Sequence, residues 1–176
     1  MVRDLYKPSY NFAYRLTGNA AEAEDLVQES FLRAYRFFNR YDDRLPFSSW
    51  LYRIMVNAHI DLVRRKNRIK TTTLDIGGAD GNATWDVPDQ AASPDQEMLK
   101  SSLEEPVQRG LLAMTPEFRT AVLLADVEGL AYEEVAEIMG TSVGTVRSRI
   151  HRGRKQLRSY LIEHSPSLYG GMRDEL

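Results

Sequence analysis

Residues 132–161 read YEEVAEIMGTSVGTVRSRIHRGRKQLRSYL, and the fold turns on this stretch. Tyr132 to Met139 has the spacing of a short helix, Gly140-Thr141 turns the chain, and Ser142 is placed to cap a longer helix. Val146 and Ile150 stand four residues apart and point to one face. Ala136 is small where two helices must approach closely, and Gly140 tolerates the positive φ of a tight turn. The spacing predicts a helix-turn-helix. The opposite face of the longer helix carries Arg147, Ser148, His151, Arg152 and Lys155. That face suits a DNA major groove, where arginine bonds guanine O6 and N7 together and serine and histidine adapt to what they meet. Thr145, Arg149 and Arg154 are better placed for phosphates, which give affinity but no sequence information.

Working outward, the rest of the chain is helical as well. Glu105-Pro106 and Thr115-Pro116-Glu117 are helix starts, as is the capping box Ser93-Pro94-Asp95-Gln96. Gly129 and Gly140 punctuate the apolar pattern as C-terminal caps do. Toward the N-terminus, Asn19 caps an amphipathic segment running to Phe38, with Leu26, Val27, Phe31, Ala34, Tyr35 and Phe38 on its apolar stripe. Leu5 to Leu16 has helical spacing interrupted by Pro8 and ended by Gly18. After a break at Asp42-Asp43-Arg44-Leu45-Pro46, Ser48 is placed to cap a helix whose stripe is Leu51, Ile54, Met55, Ala58 and Leu62. From about Thr71 to Ala92 periodicity vanishes among Gly77, Gly78, Gly81 and Pro88. A calcium-loop reading around Asp80 and Asn82 lacks the required Gly and terminal Glu.

Charge confirms the division. The net charge of -2 averages over strongly segregated segments. From Thr71 to Thr115 only Lys100 and Arg109 oppose Asp75, Asp80, Asp86, Asp89, Asp95, Glu97, Glu104 and Glu105. Arg64, Arg65, Lys66, Arg68 and Lys70 lie on one side, and Arg147, Arg149, Arg152, Arg154, Lys155 and Arg158 on the other. The expected architecture is all-α: two small helical domains, 1–70 and 93–162, a flexible acidic linker over 71–92, and a tail over 163–176. With no cysteine, thiolate metal sites, disulfides and thiol nucleophiles are excluded. His59, His151 and His164 lie in different elements without a catalytic constellation, so no catalytic residue, metal or cofactor is expected. No apolar run approaches the ~20 residues of a membrane span, and Arg3 and Asp4 interrupt any leader, so the expected location is the cytoplasm.

Six blocks resemble a known family. Thr115-Pro-Glu-Phe-Arg, Asp126-Val-Glu-Gly-Leu-Ala-Tyr-Glu-Glu and Gly144-Thr-Val-Arg-Ser-Arg-Ile-His-Arg look like region 4 of extracytoplasmic-function (ECF) sigma factors, of the sigma-70 family. Tyr14-Arg-Leu-Thr-Gly-Asn, Asp25-Leu-Val-Gln-Glu-Ser-Phe-Leu-Arg-Ala-Tyr and Phe47-Ser-Ser-Trp-Leu-Tyr-Arg look like region 2. The resemblance implies a sigma factor that binds core RNA polymerase and directs promoter-specific initiation. Asp25, Gln28, Glu29 and Arg33 would dock the β′ clamp helices. Arg53, Asn57 and Asp61, with Arg64 and Arg65 on phosphates, would bind the minus-ten element. Thr145, Arg147, Ser148, Arg149, His151, Arg152 and Lys155 would bind the minus-35 element, while region 4 rests on the β flap. The loop Asn39 to Ser49 would cradle a flipped base, with Trp50 either stacking nearby or filling core. An anti-sigma factor is the implied regulator. Ala131 departs from the family's usual Ser, Thr or Pro before the Tyr132 helix, a weaker cap by about 1 kcal/mol. From the residues alone, a stand-alone helix-turn-helix regulator remains open.

Overall fold

The structure is a computed structural model and describes residues 2–74 and 103–171. Eight α-helices follow one another among them: α1 (Val2–Thr17), α2 (Ala20–Arg36), α3 (Phe47–Leu74), α4 (Glu105–Ala113), α5 (Pro116–Val122), α6 (Tyr132–Met139), α7 (Val143–His164) and α8 (Pro166–Tyr169). A 3-10 turn, Phe38–Arg40, follows α2, and a π-helical segment, Leu123–Val127, continues α5. Helix α3 passes the boundary expected at residue 70. The capping box at Ser93 and the calcium-loop residues lie outside the described residues.

Local chemistry explains the ends. Asn19 caps α2 by accepting from the Glu22 N–H at 3.0 Å, and Ser142 caps α7 by accepting from Thr145 N–H at 3.1 Å. Gly18, Gly129 and Gly140 adopt φ of 69°, 71° and 61°, the left-handed region that ends a helix cheaply only for glycine. Two expectations fail. Helix α3 begins at Phe47, so Ser48 lies in its first turn and the Pro46 carbonyl accepts from Ser49 and Trp50 instead. Helix α1 also runs through Pro8 without interruption. The lost backbone bond and ring clash are offset because Phe12, Ala13 and Leu16 beyond it are fully buried.

The apolar stripes of α1, α2 and α3 meet through Phe12, Leu16, Leu26, Val27, Leu51 and Met55, none more than 1% exposed. Each such side chain contributes about 1.5–3 kcal/mol of burial. In the C-terminal half, Leu111, Met114, Leu123 and Leu124 pack on Val135, Val146 and Ile150. The widened π turn brings the adjacent Leu123 and Leu124 both inside. Helices α5 and α7 approach so closely that a Cβ on Gly153 would sit 2.6 Å from Val122. Among the described residues these two sets form one hydrophobic core that crosses both halves. Arg119, 5% exposed, binds across the same boundary. Its guanidinium donates to the carbonyls of Leu111, Leu112 and Met114 at the end of α4 and to Leu16 at the end of α1. Burial lowers its pKa to about 10, so it stays charged at neutral pH.

His59 is buried in α3, with no hydrogen-bond partner for either ring nitrogen. Burial, then the positive charges of Arg119 and Lys66, push its pKa down to about 4. The unfolded chain, with a histidine pKa near 6.5, therefore binds more protons between these values. Stability is full above about pH 6.5 and declines as pH falls toward 4. Thermal unfolding across this range should show Tm falling for the native chain and falling less for His59→Leu; an equal slope would refute the neutral buried histidine. Arg119→Ala, which strands buried carbonyls, should cost more than about 3 kcal/mol in denaturant unfolding.

Candidate nucleic-acid and partner interfaces

Helix α7 presents its basic face as the sequence spacing requires. Val146 and Ile150 are 0% and 1% exposed, while Arg147, Ser148, His151, Arg152 and Lys155 all lie on the solvent side. Thr145 is half-buried, its Oγ1 2.9 Å from Ser142 Oγ, and Arg149 is also half-buried. Helix α6 starts without a side-chain cap at Ala131. Glu134 compensates by accepting from the Ala131 N–H at 3.2 Å. Arg154 differs from expectation. Its Nε and Nη2 donate to Asp126 at 2.9 and 2.5 Å, which raises its pKa and commits it to fastening α7 to the π segment rather than to a phosphate.

On α3, Arg53, Asn57, Arg64 and Arg65 are exposed, whereas Leu51, Met55, Val56 and Ala58 are buried on the other side. Lys66 pairs with Glu22 of α2 at 2.6 Å. Asp61 is half-buried and turned toward α2, with Oδ2 3.6 Å from Arg33 Nη1. Arg33 also bonds Glu29 at 2.6 Å, and these carboxylates, Glu29 first, raise its pKa. Asp25, Gln28 and Glu29 are exposed beside this pair. Asp61 and Arg65 thus share one groove, about 360 Å³, with Asp25, Gln28, Glu29 and Arg33. The structure joins the two residue sets there, since α3 forms one wall and α2 the other.

The sequence reasoning missed two features. Leu32 is 60% exposed on α2, and Tyr35 and Phe38, expected on the apolar stripe, are 87% and 55% exposed instead, because α2 ends at Arg36 and its last turn stands clear of the core; Leu32 and Tyr35 thus add apolar surface to the polar ridge. The loop before α3 is walled by rings: Trp50 lies 5.2 Å from Tyr41, 5.5 Å from Phe47 and 6.4 Å from Phe38 between centroids. Trp50 is half-buried in that cluster, on the edge of the core, while Phe38 is 55% exposed. The aromatics recurring at 38, 41, 47 and 50 were the available signal. The loop is braced by Tyr41 Oη donating to the Leu45 carbonyl at 2.6 Å and by Arg44 on Asp42, whose carboxyl is held down at about 2 by that bond. A braced aromatic wall can stack a planar base without first ordering itself.

Among the described residues no cluster of acidic and imidazole groups could hold a metal ion, and no helix is long and apolar enough to cross a membrane. His59 is buried, His151 exposed, and His164 stacks on Tyr160 with centroids 4.0 Å apart.

Comparison with known proteins places this geometry. The sigma-70 region 2 model matches residues 1–69, and the sigma-70 region 4 model matches residues 104–157. The ECF RNA polymerase sigma factor SigE of Mycolicibacterium smegmatis is 45% identical over 94% of this chain, which spans 62% of that relative's length. The ECF RNA polymerase sigma factor SigW of Bacillus subtilis is 36% identical over 91% of this chain and 87% of its own. Among solved structures, the sigma factor RpoE of Bartonella quintana, in complex with the anti-sigma factor NepR, aligns at a TM-score of 0.67 and 26% identity. That alignment covers 89% of this chain and 92% of the other.

The Ser142 cap and the Arg154 pair give a contrast in stability. Ser142→Ala should destabilise the fold by about 1 kcal/mol in urea unfolding, while Arg154→Ala, an exposed pair, should cost under about 1 kcal/mol. A larger loss for Arg154→Ala than for Ser142→Ala would contradict these assignments.

Proposed function

Since the chain belongs to the sigma-70 family, as a sigma factor of the extracytoplasmic-function type, we propose that it binds core RNA polymerase and directs initiation by reading the minus-35 and minus-ten elements. The observation that carries this reading is the presence, on one chain, of a region 2 body and a region 4 helix-turn-helix whose Arg147, Ser148, His151, Arg152 and Lys155 face solvent.

The roles follow from chemistry. Helix α7 enters the major groove of the minus-35 duplex, with Arg147 and Arg152 on base edges and Thr145, Arg149 and Lys155 nearer the backbone. Helix α3 meets the opened minus-ten strand through Arg53 and Asn57, while Arg64 and Arg65 neutralise phosphates. Extruding a base costs a few kcal/mol, and stacking on the Phe38, Tyr41 and Trp50 rings offsets it. The groove holding Asp25, Gln28, Glu29 and Arg33 receives the β′ clamp helices, with Leu32 and Tyr35 adding apolar contact. Asp61 then contributes to docking through Arg33 as well as standing on the DNA-facing helix. Region 4 rests on the β flap. The chain carries no chemistry of its own and acts in the cytoplasm, where its polymerase is. An anti-sigma factor is the natural regulator, since the RpoE structure that aligns with this chain is a complex with one.

Avidity sets the mechanism. Neither helix needs to hold DNA strongly, because polymerase presents both at the promoter spacing and makes the second contact intramolecular.

Reconstituted run-off transcription with core enzyme on promoter pairs tests this. Arg152→Ala should lower output about five- to 150-fold on promoters that depend on the minus-35 element, from the ~1–3 kcal/mol of one bidentate base contact. Asn57→Ala should instead slow strand opening at the minus-ten, read by permanganate footprinting. Native-level transcription by both variants, or tight sequence-specific binding by the chain without polymerase, would remove the proposal.

A further inference from the structure

Arg154 follows Arg147 by close to two full helical turns, so it stands in line with Arg147 on α7 and flanks the face that carries His151 and Arg152. Its side chain is 56% exposed, and the walls of a major groove beside a recognition helix are phosphate. By position and charge it is suited to the DNA backbone. The fold gives it another partner. Nε and Nη2 donate to Oδ2 and Oδ1 of Asp126 at 2.9 and 2.5 Å, a two-pronged, charge-assisted pair. Tyr132, at the start of α6, adds a further side-chain hydrogen bond.

Backbone packing delivers that partner. Asp126 lies in the π segment that continues α5, and α5 runs against α7 at close range. A Cβ on Gly153, the neighbour of Arg154, would sit 2.6 Å from Val122 and 3.3 Å from the Phe118 carbonyl oxygen. The carboxylate is thereby held against the flank of the recognition helix, its side chain 30% exposed. A pair this exposed adds little to stability. Its consequence for DNA binding is greater. An arginine that leaves Asp126 for a phosphate exchanges charge-assisted bonds for others of the same kind and strands a carboxylate beside a polyanion. The exchange gains nothing, so the guanidinium stays where it is.

From this, and resting on the promoter reading above, we infer that Asp126 is a positioning residue that withholds Arg154 from the DNA backbone and so limits the hold of the recognition helix on duplex DNA of any sequence. Phosphate contacts add affinity that is equal for every sequence. One fewer of them on α7 lowers the chain's own binding to bulk DNA. The base contacts of Arg147 and Arg152 then secure a site only where polymerase supplies the second attachment.

The salt dependence of binding to a fluorescent duplex of scrambled sequence, measured by anisotropy with the full chain, counts the phosphates engaged. Asp126→Ala should bind more tightly than the native chain at low salt. Between about 50 and about 200 mM salt it should then lose about three- to fourfold more affinity than the native chain does, the signature of one added phosphate at a slope of ~0.9. The double variant Asp126→Ala/Arg154→Ala should return to the native slope. Glu117→Ala, which removes a carboxylate at an exposed position on α5, should leave the slope unchanged. If Asp126→Ala loses its helical circular dichroism, Asp126→Asn carries the test. A native slope in the Asp126 variant, a steep slope that persists in the double variant, or equal steepening by Glu117→Ala would overturn the role. So would a double variant shallower than native, since Arg154 would then already be on a phosphate. Run-off by the native chain with core polymerase separates the two ideas: its absence sinks the promoter reading, while its presence beside unmoved slopes sinks the role of Asp126 alone.

Discussion

The structure depends on one buried cation. Among the described residues Arg119 has no carboxylate partner; its guanidinium instead takes the carbonyls that α4 and α1 leave unsatisfied at their C-terminal ends, Leu111, Leu112 and Met114 from one and Leu16 from the other. Those ends carry the negative pole of a helix dipole, so a planar donor with several N–H groups meets two of them at once. A lysine could not reach both with fixed geometry. Because the two helices belong to different halves, the same side chain that completes region 4 also fastens it to region 2.

Much of the architecture was legible in the residues. Ser142, Gly140, Val146 and Ile150 specify the helix-turn-helix by cap, turn and stripe, all local devices that the sequence spells out in order. The exposed faces of α7 and α3 followed from the same periodicity. Ser48 was misread because a hydroxyl before an apolar run resembles a cap, while the Pro46 carbonyl had already started the helix. Pro8 was read as a break because the rule weighs the lost backbone bond and cannot see that Phe12 and Leu16 bury completely beyond it. Arg154 carries the same charge as its neighbours, and only the fold brings Asp126 beneath it.

The pairing of the halves was not legible at all, for a physical reason. Each contact joins residues far apart in the chain, such as Tyr52 with Glu128 or Gln108 with Tyr14, and no periodicity encodes them. The acidic stretch between them suggests two independent bodies, yet their apolar faces merge into one core. The groove between α2 and α3 was hidden likewise: its two walls were read as separate surfaces, one for protein and one for DNA, until Arg33 and Asp61 placed them together. Under the proposed roles, a partner docked in that groove would press on the helix that carries Arg53 and Asn57, so polymerase binding and minus-ten recognition would share a rigid element.

The central claim is that specificity arises only when polymerase holds two weak basic surfaces at a fixed separation. It is tested most directly by transcribing a library of genomic fragments with purified core enzyme and this chain, then mapping the start sites. The account predicts that starts cluster downstream of one paired motif, and that exchanging either half of the pair abolishes them. Starts that need only a single motif, or no starts at all beside tight site-specific binding by the chain alone, would contradict it.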